Sequence, residues 1–285
     1  SASSQRWRPR SCHPISPATG RKASLPGRVR QPEPVLSVWL PEGLTTAAAV
    51  ALVVASFFTS LLTASFGIGG GLVLLSLMAY AVPVAALIPV HGAVQFGSNA
   101  GRALLRWRSI AWPELLAFMA GGSIGALAGA HVVIALPEAL LEIVLGLFVL
   151  VVTWFRPPAM GRIGLPSFAL TGAVTTFLSM FLGATGPLNV AAFEKTFPDR
   201  RVMVASLAAL QTSQHLLKLA AFGAAGFSFA EWAPMVAAMI LSGLAGTWVG
   251  LHVLGILRED IFRLVLKVIL TVVALDMLRR GLGLF

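Results

Sequence analysis

A continuous apolar stretch that ends in a run of glycines decides the fold: LTTAAAVALVVASFFTSLLTASFGIGGG, residues 44–71. Its apolar part, residues 44–66, is long enough for a helix that crosses a hydrocarbon core of about 30 Å. Glycine adopts backbone conformations that other residues avoid, so Gly67-Ile68-Gly69-Gly70-Gly71 predicts a break inside the membrane. Such a break is tolerated only where it is buried in protein or lines a cavity. The alternative interpretation is a tight turn between closely packed helices.

The composition agrees with a membrane protein. Hydrophobic residues make up 57% of the 285 residues and charged residues only 11%, whereas soluble domains carry about 25% charged residues. A water-soluble enzyme is therefore nearly excluded, and so is a chain that is disordered throughout. The predicted fold class is all-α and polytopic, with about eight transmembrane helices and with broken or re-entrant half-helices after the glycine-rich motifs.

The apolar stretches occur in two successive sets. The first set predicts helices over residues 44–66, 84–107, 112–135 and 137–155, with a short run to about Ala81 after the glycines. The second set predicts helices over residues 165–182, 203–226, 232–254 and 260–284, with a short run to about Phe197. The expected organisation is a basic disordered tail (1–43), a first membrane repeat (44–155), a linker (156–164) and a second repeat (165–285).

Paired residues at nearly constant offsets indicate that the second set is a copy of the first. At an offset of 116, the residues Gly67, Gly70, Leu72, Gln95 and Arg102 match Gly183, Gly186, Leu188, Gln211 and Lys218. At an offset of 121, Gly125, Gly129, His131 and Glu138 match Gly246, Gly250, His252 and Glu259.

Loop charges distinguish two topologies. If the short runs dip into the membrane and return, each copy crosses four times. The tail and three basic pairs (Arg106/Arg108, Arg156/Arg162 and Arg279/Arg280) then share one side, which the positive-inside rule makes cytoplasmic. If the short runs cross instead, each copy has an odd number of crossings and the copies are inverted.

Half of the net charge of +10 comes from the tail, which holds seven of the 21 basic residues and two of the 11 acidic ones. After residue 43 no exposed element concentrates Lys and Arg, so a nucleic-acid surface is not expected. The tail is interpreted as a disordered extension or an over-long start, with an organellar transit peptide as the alternative. The single cysteine, Cys12, excludes a disulfide framework and a thiolate metal site.

Both glycine breaks are candidate anion sites. A half-helix that begins at a break exposes backbone N–H groups and the positive end of its dipole, and two such ends that face each other favour an anion. The candidate residues at the breaks are Gly69, Gly70, Gly71, Thr185, Gly186 and Asn189.

Polar residues fall on one face of each of the predicted helices 84–107 and 203–226. They are His91, Gln95, Ser98, Asn99 and Arg102 in the first copy and Gln211, Gln214, His215 and Lys218 in the second. No carboxylate lies on either face, although a central Arg or Lys costs about 2.5–3.5 kcal/mol on insertion scales. A bound anion would supply the missing counter-charge. The alternative for Arg102 is a side chain that extends to the membrane surface, whereas a functional role is favoured for Lys218.

The sequence resembles the TauE/SafE family of sulfite-exporter-like permeases. The resemblance rests on Gly67-Ile68-Gly69-Gly70-Gly71-Leu72 and on the basic Arg106-Trp107-Arg108 before Trp112, and it covers roughly residues 45–283. It implies a duplicated helical bundle that moves sulfur-containing or organic anions. The second copy departs from the motif with Gly183-Ala184-Thr185-Gly186-Pro187, which leaves the substrate open.

The expected function is secondary transport, by alternating access, of a small anion such as sulfite or a sulfonate. Lys218, with Arg102, would supply charge, and His91 or His215 could couple transport to protons because imidazole titrates near physiological pH. The expected location is the bacterial inner membrane, in contact with lipid, with no cofactor, no metal and no nucleic-acid partner. The alternative is a membrane-embedded enzyme that uses the intramembrane His, Lys and Asn residues, but no nucleophile–base spacing or carboxylate pair supports it.

Overall fold

The structure is a computed structural model that describes residues 40–41, 43–66, 69–133, 137–155, 159, 161–197, 199–252 and 259–284. Gly67, Ile68 and nearly all of the predicted tail lie outside the described residues. The described part contains no strand. Its α-helices are α1 Thr46–Phe66, α2 Gly70–Met78, α3 Val84–Leu105, α4 Trp112–Val133, α5 Glu138–Trp154, α6 Leu165–Leu182, α7 Gly186–Phe193, α8 Arg200–Ala224, α9 Ala233–His252 and α10 Glu259–Gly281.

The predicted all-helical fold is confirmed by these helices. By length and composition, α1, α4, α6 and α9 could each cross a membrane. The two short helices, α2 and α7, follow the glycine breaks and lie in the interior, where Leu74, Leu75, Asn189 and Phe193 are buried. Helix α8 begins at Arg200 and is capped by Asp199, whose carboxylate accepts hydrogen bonds from the backbone N–H groups of Arg201 and Val202.

Helices from different predicted copies pack as parallel pairs. Along α1 and α9, Gly246 packs against the backbone of Phe57 and Gly250 against that of Leu61, so residue numbers rise together. Helices α4 and α6 pair in the same way, because Gly121 and Gly125 contact Ala169 and Ala173. These small residues let the helix backbones approach closely.

The other two main pairs are antiparallel. Gly92 of α3 lies against Lys218 of α8, while Asn99 and Arg102, further along α3, share a cavity with Ala208, further back on α8. Likewise Gly146 of α5 lies against Ala274 of α10, and Gly281, further along α10, lies against Ala139, further back on α5. The helices paired here occupy corresponding positions in the two predicted copies, so corresponding helices run in opposite directions.

Between the end of α1 and the start of α3, the chain returns to the end of the bundle at which α1 begins. Gly97 and Gly101 of α3 lie against Ile240 and Leu244 of α9, so α3 is parallel to α9 and therefore also to α1. Helix α2 accordingly runs opposite to α1.

One of the two topologies considered from the loop charges places Arg106 and Arg280 on the same side. Arg280 donates a hydrogen bond to the carbonyl of Ala79, just before α3 begins, whereas Arg106 directly follows α3. The 22 residues of α3 separate these two levels by about 33 Å. The basic residues Arg106 and Arg280 therefore lie at opposite ends of the bundle, because α2 returns the chain instead of leaving it at the far side.

Candidate functional site

The two glycine breaks meet in the interior. Gly69, which precedes α2, has φ +103°, and Gly183, which ends α6, has φ +68°; both values favour glycine. A Cβ atom on Gly183 would lie 2.8 Å from the Leu75 side chain of α2, so the second break packs directly on the first half-helix.

Each break has a glutamine beside a glycine. A Cβ on Gly71 would lie 2.7 Å from Nε2 of Gln95, and one on Gly186 would lie 3.3 Å from Oε1 of Gln211. The two glutamines are at matching positions of the predicted copies. The side-chain amides of Gln95 and Gln211 and the N-terminal ends of α2 and α7 thus surround one common point in the interior.

That point is a cavity of about 40 Å³. A water molecule needs roughly 10–15 Å³ measured in this way, so the cavity has room for about three waters or one compact oxyanion. Nine sequence-predicted residues line it: Gly69, Gly71, His91, Gln95, Arg102, Thr185, Gly186, Gln211 and His215. Six others do not: Gly70, Ser98, Asn99, Asn189, Gln214 and Lys218.

A chain of hydrogen bonds along α3 holds the first polar face. His91 donates from Nε2 to the carbonyl of Gly71 at 2.8 Å, which ties α3 to the start of α2. Asn99 donates to the backbone carbonyl of Gln95 at 2.8 Å and accepts from the Arg102 guanidinium at 2.7 Å. Asn99 therefore positions Arg102 from behind the cavity.

Gln214 has the matching role on α8. Its side-chain oxygen accepts from Thr185 at 3.0 Å and from Asn189 at 3.3 Å, and its amide donates to Thr175 and Thr176 of α6. Since Thr185 lines the cavity, Gln214 fixes the second break against α6.

Lys218 is fully buried, but it is behind the break and does not line the cavity. Its Nζ donates to the carbonyl of Gly183 at 2.8 Å. That carbonyl belongs to the C-terminal end of α6, where helical carbonyls lack partners and the dipole favours a cation.

Arg102 is the only Lys, Arg, Asp or Glu among the described residues that line the 40 Å³ cavity. It also lines a second cavity of about 230 Å³, together with Arg106, Glu194 and Arg200. Arg102 thus lies where the two cavities adjoin. We call them the inner and the outer cavity.

Two histidines from opposite copies lie beside each other. The rings of His91 and His215 are 6.2 Å apart in an edge-to-face arrangement, and both Nδ1 atoms are buried without a hydrogen-bond partner in the described part of the chain. Within that part no three His, Cys, Asp or Glu residues gather as a metal site would require.

Four threonines of these sites escaped the sequence reasoning. Thr63 lines both cavities, Thr247 lines the outer one, and Thr175 and Thr176 hold Gln214. Threonine is common in apolar helices, so none of these positions stands out. The one signal in the sequence is that Thr59 and Thr63 are four residues apart, which places both on one face of α1.

Comparison with known proteins identifies the family. The family model described as "Sulfite exporter TauE/SafE" matches residues 52–277, most of the chain. Neither the curated proteins nor the solved structures gave a match.

Proposed function

Because the chain belongs to the TauE/SafE sulfite exporter family, we propose that this integral membrane protein carries a small sulfur oxyanion or sulfonate by alternating access without ATP. One observation carries the proposal. A cavity of oxyanion size lies between two broken helices, and Arg102 is the one permanently charged side chain among its described lining residues.

The roles of the lining residues follow from their chemistry. The first N–H groups of α2 have no partner within their own helix and would donate to the anion. In α7 the N–H of Gly186 would do so, because Pro187 has no N–H and the N–H of Leu188 donates to the carbonyl of Thr185. Arg102 supplies the opposite charge, and the amides of Gln95 and Gln211 orient the oxygens. An oxyanion accepts every one of these hydrogen bonds.

We further propose that the two copies are inverted and that α2 and α7 complete a crossing in each. The support is the direction of the helices, since α3 and α8, like α5 and α10, are antiparallel. The loop after α3 carries Arg106 and Arg108 and the first turn of α8 carries Arg200 and Arg201, whereas residues 79–83 and 225–232, at the other end, contain no Lys or Arg. Arg279 and Arg280 also lie at that other end, but they are paired with Asp276 and Glu142. On the charges of these described residues, the positive-inside rule places the outer cavity on the cytoplasmic side.

The opposite end of the bundle is held by Arg280. It pairs with Glu142 of α5 at 3.1 Å and with Asp276 at 3.3 Å, and it bonds the end of α2 through Ala79. This cluster favours a state open toward the outer cavity, the state in which an exporter takes up its substrate. The inner membrane of a bacterium is the proposed location.

The topology is tested with single cysteines in a Cys12→Ser background. Arg108→Cys, after α3, and Lys195→Cys, after α7, are both exposed. The inverted arrangement places them on the same side of the membrane, whereas four crossings in each copy would place them on opposite sides. In intact cells a membrane-impermeant maleimide should reach either cysteine only after the cells are opened. Labelling of one and not the other in intact cells would contradict the inverted arrangement.

The transport proposal is tested by flux in proteoliposomes. Sulfite, thiosulfate, a sulfonate and acetate are offered at several pH values, with and without an imposed pH gradient. Saturable flux of one sulfur anion, absent from protein-free liposomes, is expected. A response to the gradient would support proton coupling through His91 or His215. Absence of flux for all four anions, in protein shown to be folded, would contradict the proposal. Hydrolytic or group-transfer activity of that protein would favour an enzyme instead.

A further inference from the structure

The outer cavity contains a polar group that the transport proposal does not use. It is the buried hydroxyl of Thr247 of α9, a residue that lines the cavity and is only 3% exposed. Within the described part of the chain this hydroxyl has no hydrogen-bond partner. A buried hydroxyl without a partner is costly, and a helical threonine ordinarily avoids the cost by bonding to its own backbone.

A second residue that lines the same cavity, Arg102, also has an unpartnered donor. The guanidinium of Arg102 bonds Asn99 through one terminal nitrogen, but its Nε is buried and without a partner among the described residues. A hydroxyl and a guanidinium N–H can both donate to a single oxyanion. Two unsatisfied groups on different helices, α9 and α3, thus call for the same kind of ligand.

The charge around this cavity has the sign that an anion requires. Arg102, Arg106 and Arg200 line it against one acid, Glu194. Arg106 and Arg200 are exposed and Arg102 lies deeper. The arrangement would attract an anion from solvent and lead it inward.

We propose that the outer cavity is a second oxyanion site, in which Thr247 and Arg102 Nε hold a sulfur oxyanion or the head group of an organic sulfonate before it enters the inner cavity. The volume of about 230 Å³ accommodates a larger or partly hydrated anion than the inner cavity of about 40 Å³. Arg102, Thr63, Val190 and Gln211 line both, so Arg102 can pass the anion from one site to the other. The proposal rests on the proposed function.

Equilibrium binding of radiolabelled sulfite to the full chain in nanodiscs tests the outer site. The wild type should bind two classes of sulfite. Thr247→Val, which keeps the shape of the side chain, should weaken one class about tenfold or more, the size expected for a lost hydrogen bond to a charged ligand. Thr247→Ser restores the hydroxyl and should restore that class. Thr153→Val, in α5 and outside both cavities, is the matched control.

The outcomes separate the two proposals. A single class of sulfite-binding site in the wild type, or two classes whose affinities are unchanged in Thr247→Val, would overturn the outer site but not the proposal of transport. Water alone would then satisfy the hydroxyl of Thr247. Gln95→Leu should remove the inner class and keep the outer one. Absence of both binding and flux for every anion of the panel would instead overturn the proposed function.

Discussion

Replacing Arg102 with glutamine should lower the initial rate of sulfite flux by about 100-fold. Arg102 lines both cavities and is the one permanent charge in the inner one. Hydrogen bonds to charged groups contribute about 1.5–3 kcal/mol each, and the loss of roughly 2.8 kcal/mol is a factor of about 100. Initial rates in proteoliposomes at several sulfite concentrations would measure the effect.

The matched control is Arg108→Gln. Arg108 is exposed, lies over the ring of Trp107 and lines neither cavity. Its loss should change flux less than twofold, because exposed charges are screened by salt. Equal losses in both variants would mean that general surface charge matters and that Arg102 is only a helix-end residue, which was the alternative that the sequence left open.

Much of the fold could be predicted from the sequence. The length of each apolar stretch predicted the helix boundaries: the stretch 112–135 corresponds to α4, which ends at Val133, and the stretch 165–182 coincides with α6. The glycine runs fixed where α2 and α7 begin, because few other residues adopt the backbone of Gly69 or Gly183. A helical period likewise placed His91, Gln95 and Arg102 on the face that lines the cavity.

The relative direction of the helices could not be predicted in this way. It depends on which small residues face each other, as where Gly246 meets Phe57, and periodicity within one helix carries no information on its partner. The same reason explains why Thr247 was missed, because it shares a cavity with Arg102 only through the packing of α9 on α3.

The role of Lys218 also depended on tertiary contacts. Its position on the polar face of α8 predicted that Lys218 supplies positive charge to a bound anion. However, Gly92 of α3 leaves room for the lysine side chain, whose Cδ lies 3.1 Å from where a Cβ on Gly92 would be. The side chain therefore reaches behind the cavity to the carbonyl of Gly183. We propose that Lys218 is a positioning residue that holds the α6–α7 break in the shape that Thr185 and Gly186 need to line the cavity.

Lys218→Met, which preserves volume, should weaken sulfite binding about tenfold and speed amide hydrogen exchange at residues 183–188. The methionine leaves the Gly183 carbonyl unpaired, at a cost of about 1–3 kcal/mol, but it also removes a buried charge, so the melting temperature should change little. Arg102→Gln should weaken binding without altering that exchange, and Lys267→Met, an exposed lysine in α10, should do neither. Unchanged exchange together with weaker binding in Lys218→Met would return the lysine to a direct electrostatic role, since only a positioning residue alters the backbone of the break.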